Sequence, residues 1–166
     1  DIERVFRSIV ADLPDHGDLS LLHGDYKLDN VVIDNNNNCL AILDWELSSF
    51  GEPLADISFQ MINWLIPSGV LYGIGEDWEK QGIPSASKFL SWYEGSYGKN
   101  IDITSLRNAC IFSLIKLFCI LKGIENRINQ GNAFSDDAEL KAKAAPAIKD
   151  VLMNAFELNP RDIIIT

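Results

Sequence analysis

The sequence predicts an α+β chain that is mostly helical, on three observations. Two short runs rich in β-branched and aliphatic residues, NVVID (30–34) and CLAILD (39–44), flank the four asparagines 35–38. Elsewhere apolar residues recur at helical rather than alternating spacing. The 166 residues suffice for one domain with a sizeable core.

Taken in order, Ile2, Val5, Phe6, Ile9 and Val10 share one face of a helix expected over 2–13, with Pro14 ending it. The asparagine tract tolerates left-handed backbone, so the two β-rich runs read as a hairpin. GEPLADISFQMINWLI (51–66) reads as a helix with Pro53 at its first position. The glycines and bracketing prolines of PSGVLYGIGEDWEKQGIP (67–84) read as a loop, long enough to cover a site. Ser85 is expected to cap a helix to about Tyr97, and Thr104 a longer one ending near Gly131. A last helix, rich in alanine and lysine and so partly exposed, is expected over 136–157. No internal repeat and no linker divides the chain.

The formal net charge of −10 argues against a nucleic-acid binder, which needs a basic face. It does not define the field inside any cleft. Cys39, Cys110 and Cys119 are odd in number and lack CxxC spacing. Cys110 and Cys119 lie in the apolar run ACIFSLIKLFCIL (109–121), where buried free thiols are expected. A reducing, intracellular location follows as the expectation, either cytoplasm or an organelle lumen. The run is short for a membrane span and carries Lys116, so it reads as a buried helix and no membrane partner is expected. No signal peptide is evident, and the chain opens mid-helix without methionine, which suggests a piece of a longer protein.

The chemistry concentrates in LLHGDYKLDNVVIDNNNNCLAILDWE (21–46). A hairpin joins its ends, so Asn30 and Asp44 should be neighbours across fourteen positions of sequence. An amide oxygen beside a carboxylate offers two hard ligands for Mg²⁺, which completes its shell with waters and substrate phosphates. Asp25, five positions before Asn30, would share that rim. A base-bearing loop, then an Asn, then a further Asp is the order that kinase phosphoryl transfer uses.

On His23-Gly24-Asp25, Asn30 and Asp44-Trp45-Glu46, the chain resembles the aminoglycoside phosphotransferase and choline kinase superfamily, which has a protein-kinase-like fold. SSFGEPLADIS, GIPSASKFLSWYEGSYG and LFCILKGIENRINQGNA look similar to the phosphotransferase-like domains fused to acyl-CoA dehydrogenases. The resemblance covers most of the chain. It implies the carboxy-terminal lobe of the fold with a catalytic β-hairpin, Asp25 as catalytic base, and Asn30 and Asp44 as magnesium ligands at an ATP site. It also implies His23 as a brace of the loop, Asp56 as its support, and Glu46 as metal-proximal or one layer further out. No G-x-G-x-x-G or G-x-x-x-x-G-K-[ST] occurs, so the amino-terminal nucleotide lobe has no counterpart here. The fragment alone is expected to be nearly inactive.

Plainer readings stand beside these. His23 is better read as a structural hydrogen-bonder than as a general base, and His16 as exposed loop. Asp29 is expected to face solvent. Trp45 could stack on a ligand or join the core. Asp56 could serve the helix dipole alone. Trp64, Trp78, Trp92 and Tyr93 could line an acceptor pocket, although the helical spacing of Trp92 favours packing. The expected activity is phosphotransfer from ATP to a small-molecule hydroxyl, on a hydroxy acid, an acyl derivative or an amino alcohol. The alternatives are a non-catalytic binding or assembly domain and a metal-dependent hydrolase.

Overall fold

Residues 2–12, 19–75, 78–132 and 137–163 are described in a computed structural model. Pro14 and His16 lie outside the described residues. The elements run α1 (Ile2–Ala11), β1 (Ser20–Leu22), β2 (Val31–Ile33), β3 (Cys39–Ile42), β4 (Ser49–Gly51), α2 (Leu54–Leu65), α3 (Ala86–Tyr97), α4 (Ile103–Asn129), α5 (Ala138–Lys143) and α6 (Ala145–Glu157). Single 3-10 turns cover Leu28–Asn30, Trp45–Leu47 and Pro160–Ile163.

The long α4 is the axis of the molecule, and α1, α2, α5 and α6 pack on it. Val5 and Ile9 of α1, Met61 and Ile62 of α2, Leu106, Ile111 and Leu114 of α4, and Ile148 and Leu152 of α6 meet in one cluster. Each is almost wholly removed from water, which is worth about 1.5–3 kcal/mol per side chain. Ser58 and Ser113 are buried polar residues inside that cluster, and they satisfy each other at 2.8 Å between hydroxyl oxygens. By length and composition α4 could cross a membrane. Its buried residues are instead the centre of this helical core.

The capping expectations hold at Ser85, whose Oγ accepts from the Lys88 N–H at 3.2 Å. They shift at α4, where Asp102 and not Thr104 is the N-cap. The Asp102 carboxylate accepts from the Ser105 N–H at 2.8 Å and from the Ser105 hydroxyl at 2.8 Å. Those two bonds, the backbone one first, hold its pKa below the ordinary carboxylate value. The cap therefore contributes fully above about pH 3.9 and is lost as acid protonates the folded form. Asp102→Ala is expected to lower stability by about 1 kcal/mol at neutral pH. Urea unfolding would show it as a lowered midpoint at unchanged slope, with the difference shrinking at lower pH.

The expected last helix is two helices, joined at Ala144 with Pro146 in the first turn of α6. Proline removes a donor and excludes the preceding turn, so the axis restarts there. Cys119 is exposed, contrary to expectation, whereas Cys110 is wholly buried, and burial pushes its thiol pKa up to about 12. Trp92 is also exposed rather than packed, with the Lys88 ammonium 5.5 Å from its ring centroid. Its helix is less enclosed than its spacing suggested.

The strands form two separate antiparallel pairs, β2 with β3 and β1 with β4. The first is the expected hairpin, in register Val31↔Ile42 and Val32↔Ala41, with an irregularity before Ile33↔Cys39. Asp34 organises its turn by accepting from the N–H groups of Asn36 and Asn38, and Asn37 takes the left-handed conformation. The second pair joins Ser20 to Gly51 and Leu22 to Ser49. The sequence does not announce it, and Gly51 falls at the start of the expected helix 51–66. Three-residue strands this far apart carry no local signal, yet their pairing closes the chain around the hairpin.

Candidate functional site

The loop between β1 and the 3-10 turn at Leu28–Asn30 carries His23, Gly24 and Asp25. His23 is buried, and its Nε2 lies 2.8 Å from the Leu43 carbonyl oxygen. A carbonyl only accepts, so Nε2 holds the proton and Nδ1 accepts from the Asp25 N–H at 3.3 Å. The imidazole thus ties the loop to the end of the hairpin. Gly24 has φ +83, and a Cβ there would stand 2.4 Å from the Leu47 carbonyl oxygen. Only glycine fits the turn that brings Asp25 to the surface.

Three side chains from the helical core hold the loop from below. Asp56, in the first turn of α2, accepts from the His23 N–H at 2.6 Å and the Gly24 N–H at 3.0 Å, one oxygen for each. Gln60, one turn further along the same face, donates to the Tyr26 carbonyl. Lys116 of α4 donates to the Gly24 carbonyl at 3.1 Å, with its ammonium 5.2 Å from the Phe59 ring centroid. Neither Gln60 nor Lys116 was singled out from sequence. The signals were present: Gln60 lies four residues after Asp56, and Lys116 is a lone charge in an apolar run.

Asn30 is buried at the hairpin mouth. Its Nδ2 donates to the Asp25 carbonyl at 2.9 Å, and its own carbonyl accepts from the Leu43 N–H at 2.7 Å. The second bond sets Asn30 across the strands from Leu43 and so beside Asp44. With Nδ2 committed, Oδ1 is the end that can meet a cation. Asp44 is exposed and sits in left-handed backbone, φ 64 and ψ 56. Glu46 is exposed two residues on, within the 3-10 turn. The Trp45 indole is half-exposed, neither core nor free: its Nε1 donates to the Ile42 carbonyl at 2.7 Å, and its ring centroid lies 4.7 Å from that of His23.

Asp25 is partly exposed, and the Lys27 ammonium sits 2.7 Å from its Oδ2. The hydrogen bond to Asp25 is the main reason that the Lys27 pKa is raised. Lys27 therefore adds a fixed positive charge beside the carboxylate, another group missed from sequence. Asp29 is exposed and accepts from the Tyr72 hydroxyl at 3.3 Å. Trp64 is buried and donates to the Pro84 carbonyl, whereas Trp78 and Tyr93 are partly buried against the core.

Among the described residues, no cluster of three or more His, Cys, Asp or Glu side chains could hold a metal ion. Asn30 and Asp44 follow one another across the hairpin end, the amide buried and the carboxylate exposed, and an amide oxygen with a carboxylate would suit a hard cation that takes its remaining ligands from phosphate and water. The left-handed Asp44 carries about 1 kcal/mol of backbone strain. Asp44→Gly is expected to recover up to that much stability, seen as a higher melting temperature. An unchanged or lower melting temperature would mean that the conformation is not strained.

A family model described as the phosphotransferase enzyme family matches residues 1–88. Acyl-CoA dehydrogenase family member 10 of Mus musculus is 31% identical over 155 residues, 90% of this chain and 14% of that protein. Acyl-CoA dehydrogenase family member 11 of Homo sapiens is 33% identical over 138 residues, 81% of this chain and 18% of that protein. The chain thus spans less than a fifth of either relative. The crystal structure of a candidate aminoglycoside phosphotransferase from Ralstonia eutropha matches with a TM-score of 0.75 and 32% identity, over 92% of this chain and 49% of its own.

Proposed function

Starting from the premise that this chain belongs to the phosphotransferase enzyme family, we propose that it is the base- and metal-bearing half of an ATP- and magnesium-dependent kinase acting on a small-molecule hydroxyl. Its mostly helical α+β architecture is that of the carboxy-terminal lobe of an aminoglycoside phosphotransferase. The observation that supports the proposal is that Asp25 lies on a loop braced by His23, Asp56 and Lys116 and tied by Asn30 to the hairpin end from which Asp44 follows.

In this reading Asp25 accepts the acceptor's proton as its oxygen attacks the γ-phosphorus of ATP, and ADP departs. Lys27 beside it offers positive charge to the phosphoryl oxygens in transit. Asn30 Oδ1 and the Asp44 carboxylate would hold magnesium, which would neutralise phosphate charge. Glu46, close by in sequence, would tune that site. His23 keeps Asp25 in place without touching substrate. Such positioning and charge placement supply most of the catalysis in phosphoryl transfer.

Leu21, Leu28, Ile33, Leu40, Leu43 and Phe50 are all exposed on or next to the two strand pairs. So much apolar surface on one region is what an interface leaves when its partner is absent. It supports a nucleotide-clamping lobe above the hairpin in the full-length protein, and the length of the relatives supports a fused acyl-CoA dehydrogenase domain beyond it. The test is ADP formation by the full-length protein with ATP, Mg²⁺ and a panel of hydroxylated metabolites. Acceptor-dependent turnover that stops on chelation is expected. Nucleotide binding with no turnover on any acceptor would instead favour a binding or assembly domain.

A further inference from the structure

Lys116 is the lone charge in the apolar run 109–121, exposed on α4 and reaching the loop that carries Asp25. Its ammonium donates to the Gly24 carbonyl at 3.1 Å and lies 5.2 Å from the Phe59 ring centroid. We propose that Lys116 is a positioning residue for Asp25, because it holds the Gly24–Asp25 peptide in one orientation and so aims the carboxylate at the acceptor. The inference rests on the kinase reading above and adds the residue that keeps its base in register.

The Gly24–Asp25 peptide is the weak point of the loop. Its carbonyl belongs to a glycine with φ +83, so no side chain resists rotation of that peptide plane. A flip would turn the Asp25 N–H away from His23 Nδ1 and swing the Asp25 side chain with it. At the N–H edge the restraint is a bond of 3.3 Å, long for a hydrogen bond. At the carbonyl edge it is the Lys116 ammonium, a shorter and charge-assisted bond. The peptides on either side have their own partners. Asp56 accepts from the His23 and Gly24 N–H groups, and Asn30 Nδ2 donates to the Asp25 carbonyl at 2.9 Å. Lys116 thus acts on the peptide that leads directly into the base.

The helical core sets Lys116 in place before any ligand arrives. Ser113, one turn earlier on α4, meets Ser58 of α2 at 2.8 Å between buried hydroxyl oxygens. Ser58 precedes Phe59, so the pair that locks α2 to α4 also sets the Phe59 ring beside the ammonium. The loop therefore sits over the seam of the two helices, with Asp56 gripping it from α2 and Lys116 from α4. Lys116 is exposed, so without it the Gly24 carbonyl can bond water and the fold loses little. Asp56 differs, since its loss strands part-buried donors. Lys116 should accordingly matter for turnover far more than for stability.

The experiment uses the full-length protein carrying Lys116→Met, which keeps an aliphatic stem against Phe59, or Lys116→Arg, which keeps a donor. Steady-state kinetics on the acceptor panel, denaturant unfolding and hydrogen exchange of the Asp25 amide are measured on each. Lys116→Met should lower kcat by about 10- to 100-fold, with the KM for ATP and the unfolding midpoint near the parent values. Its Asp25 amide should exchange faster by about tenfold, while amides of the α2 and α4 core keep their parent rates. Lys116→Arg should recover most of the lost kcat. In an Asp25→Asn background Lys116→Met should add little, because the ammonium acts through that carboxylate. Parent-like kcat and Asp25 exchange in Lys116→Met, or a kcat loss that tracks a lowered midpoint, would overturn the inference and leave the kinase reading intact. A parent protein that turns over no acceptor would defeat the kinase reading instead. Faster Asp25 exchange in Lys116→Met would then still support the hold on the peptide, and parent-like exchange would overturn it.

Discussion

Replacing Asp25 with asparagine in the full-length protein is expected to reduce acceptor phosphorylation by about 10²–10⁴-fold, the usual worth of a positioned general base. The amide keeps the size of the carboxylate and can still accept from Lys27, so the loop retains its shape. What is removed is the ability to take a proton as the acceptor oxygen attacks. The loss should therefore fall in kcat, with the KM for ATP close to its original value. Steady-state kinetics with saturating nucleotide would measure this. Turnover within a few-fold of the parent protein would refute the role assigned to Asp25, whatever the family likeness.

Asp56→Ala is expected to be the most damaging single change to the structure around the site. Asp56 is the sole acceptor identified for both the His23 and the Gly24 N–H groups, at 2.6 and 3.0 Å. Each donor left without a partner in a part-buried setting costs about 1–3 kcal/mol, so the pair amounts to roughly 2–5 kcal/mol. That is a large share of a domain's usual stability of about 5–15 kcal/mol. Denaturant unfolding should show the lowered midpoint, and residual activity should fall with it. Asp56→Asn retains one acceptor oxygen, so it should be intermediate in both measurements. If Asp56→Ala unfolds at the parent midpoint, the bonds of His23, Asn30, Gln60 and Lys116 suffice to hold the loop.

Much of the helical architecture was legible because each signal was local. The stripe of Val5 and Ile9, the Ser85 cap and the turn-forming asparagines need only a few neighbours to act. The Asp102 cap was misjudged by two positions, since Asp102 and Thr104 are both plausible acceptors and the backbone chose between them. Cys119 and Trp92 were misjudged for another reason. Helical spacing says that residues share a face, but not whether another element covers it. Trp45 is a third case, held at the surface by a bond to Ile42 and by the His23 ring.

The nearness of positions 30 and 44 was readable because a hairpin relates them through a short turn, within the reach of sequence reasoning. Their support was readable only in part: the family resemblance named Asp56 and His23, whereas Gln60 and Lys116 were named by nothing local. Lys116 lies ninety-two positions from Gly24, Asp56 thirty-three from His23, and β4 begins twenty-nine residues after β1 starts. Such contacts exist only once α2 and α4 have packed. By itself the sequence determined which chemical groups are present, their order and the local turn that pairs the ends of the hairpin. Only the tertiary structure decided that Gln60 and Lys116 join Asp56 in holding the loop beside that turn. The physical reason is that turns and caps are satisfied within one or two turns of chain, whereas a buried donor finds its acceptor wherever the packed core brings one.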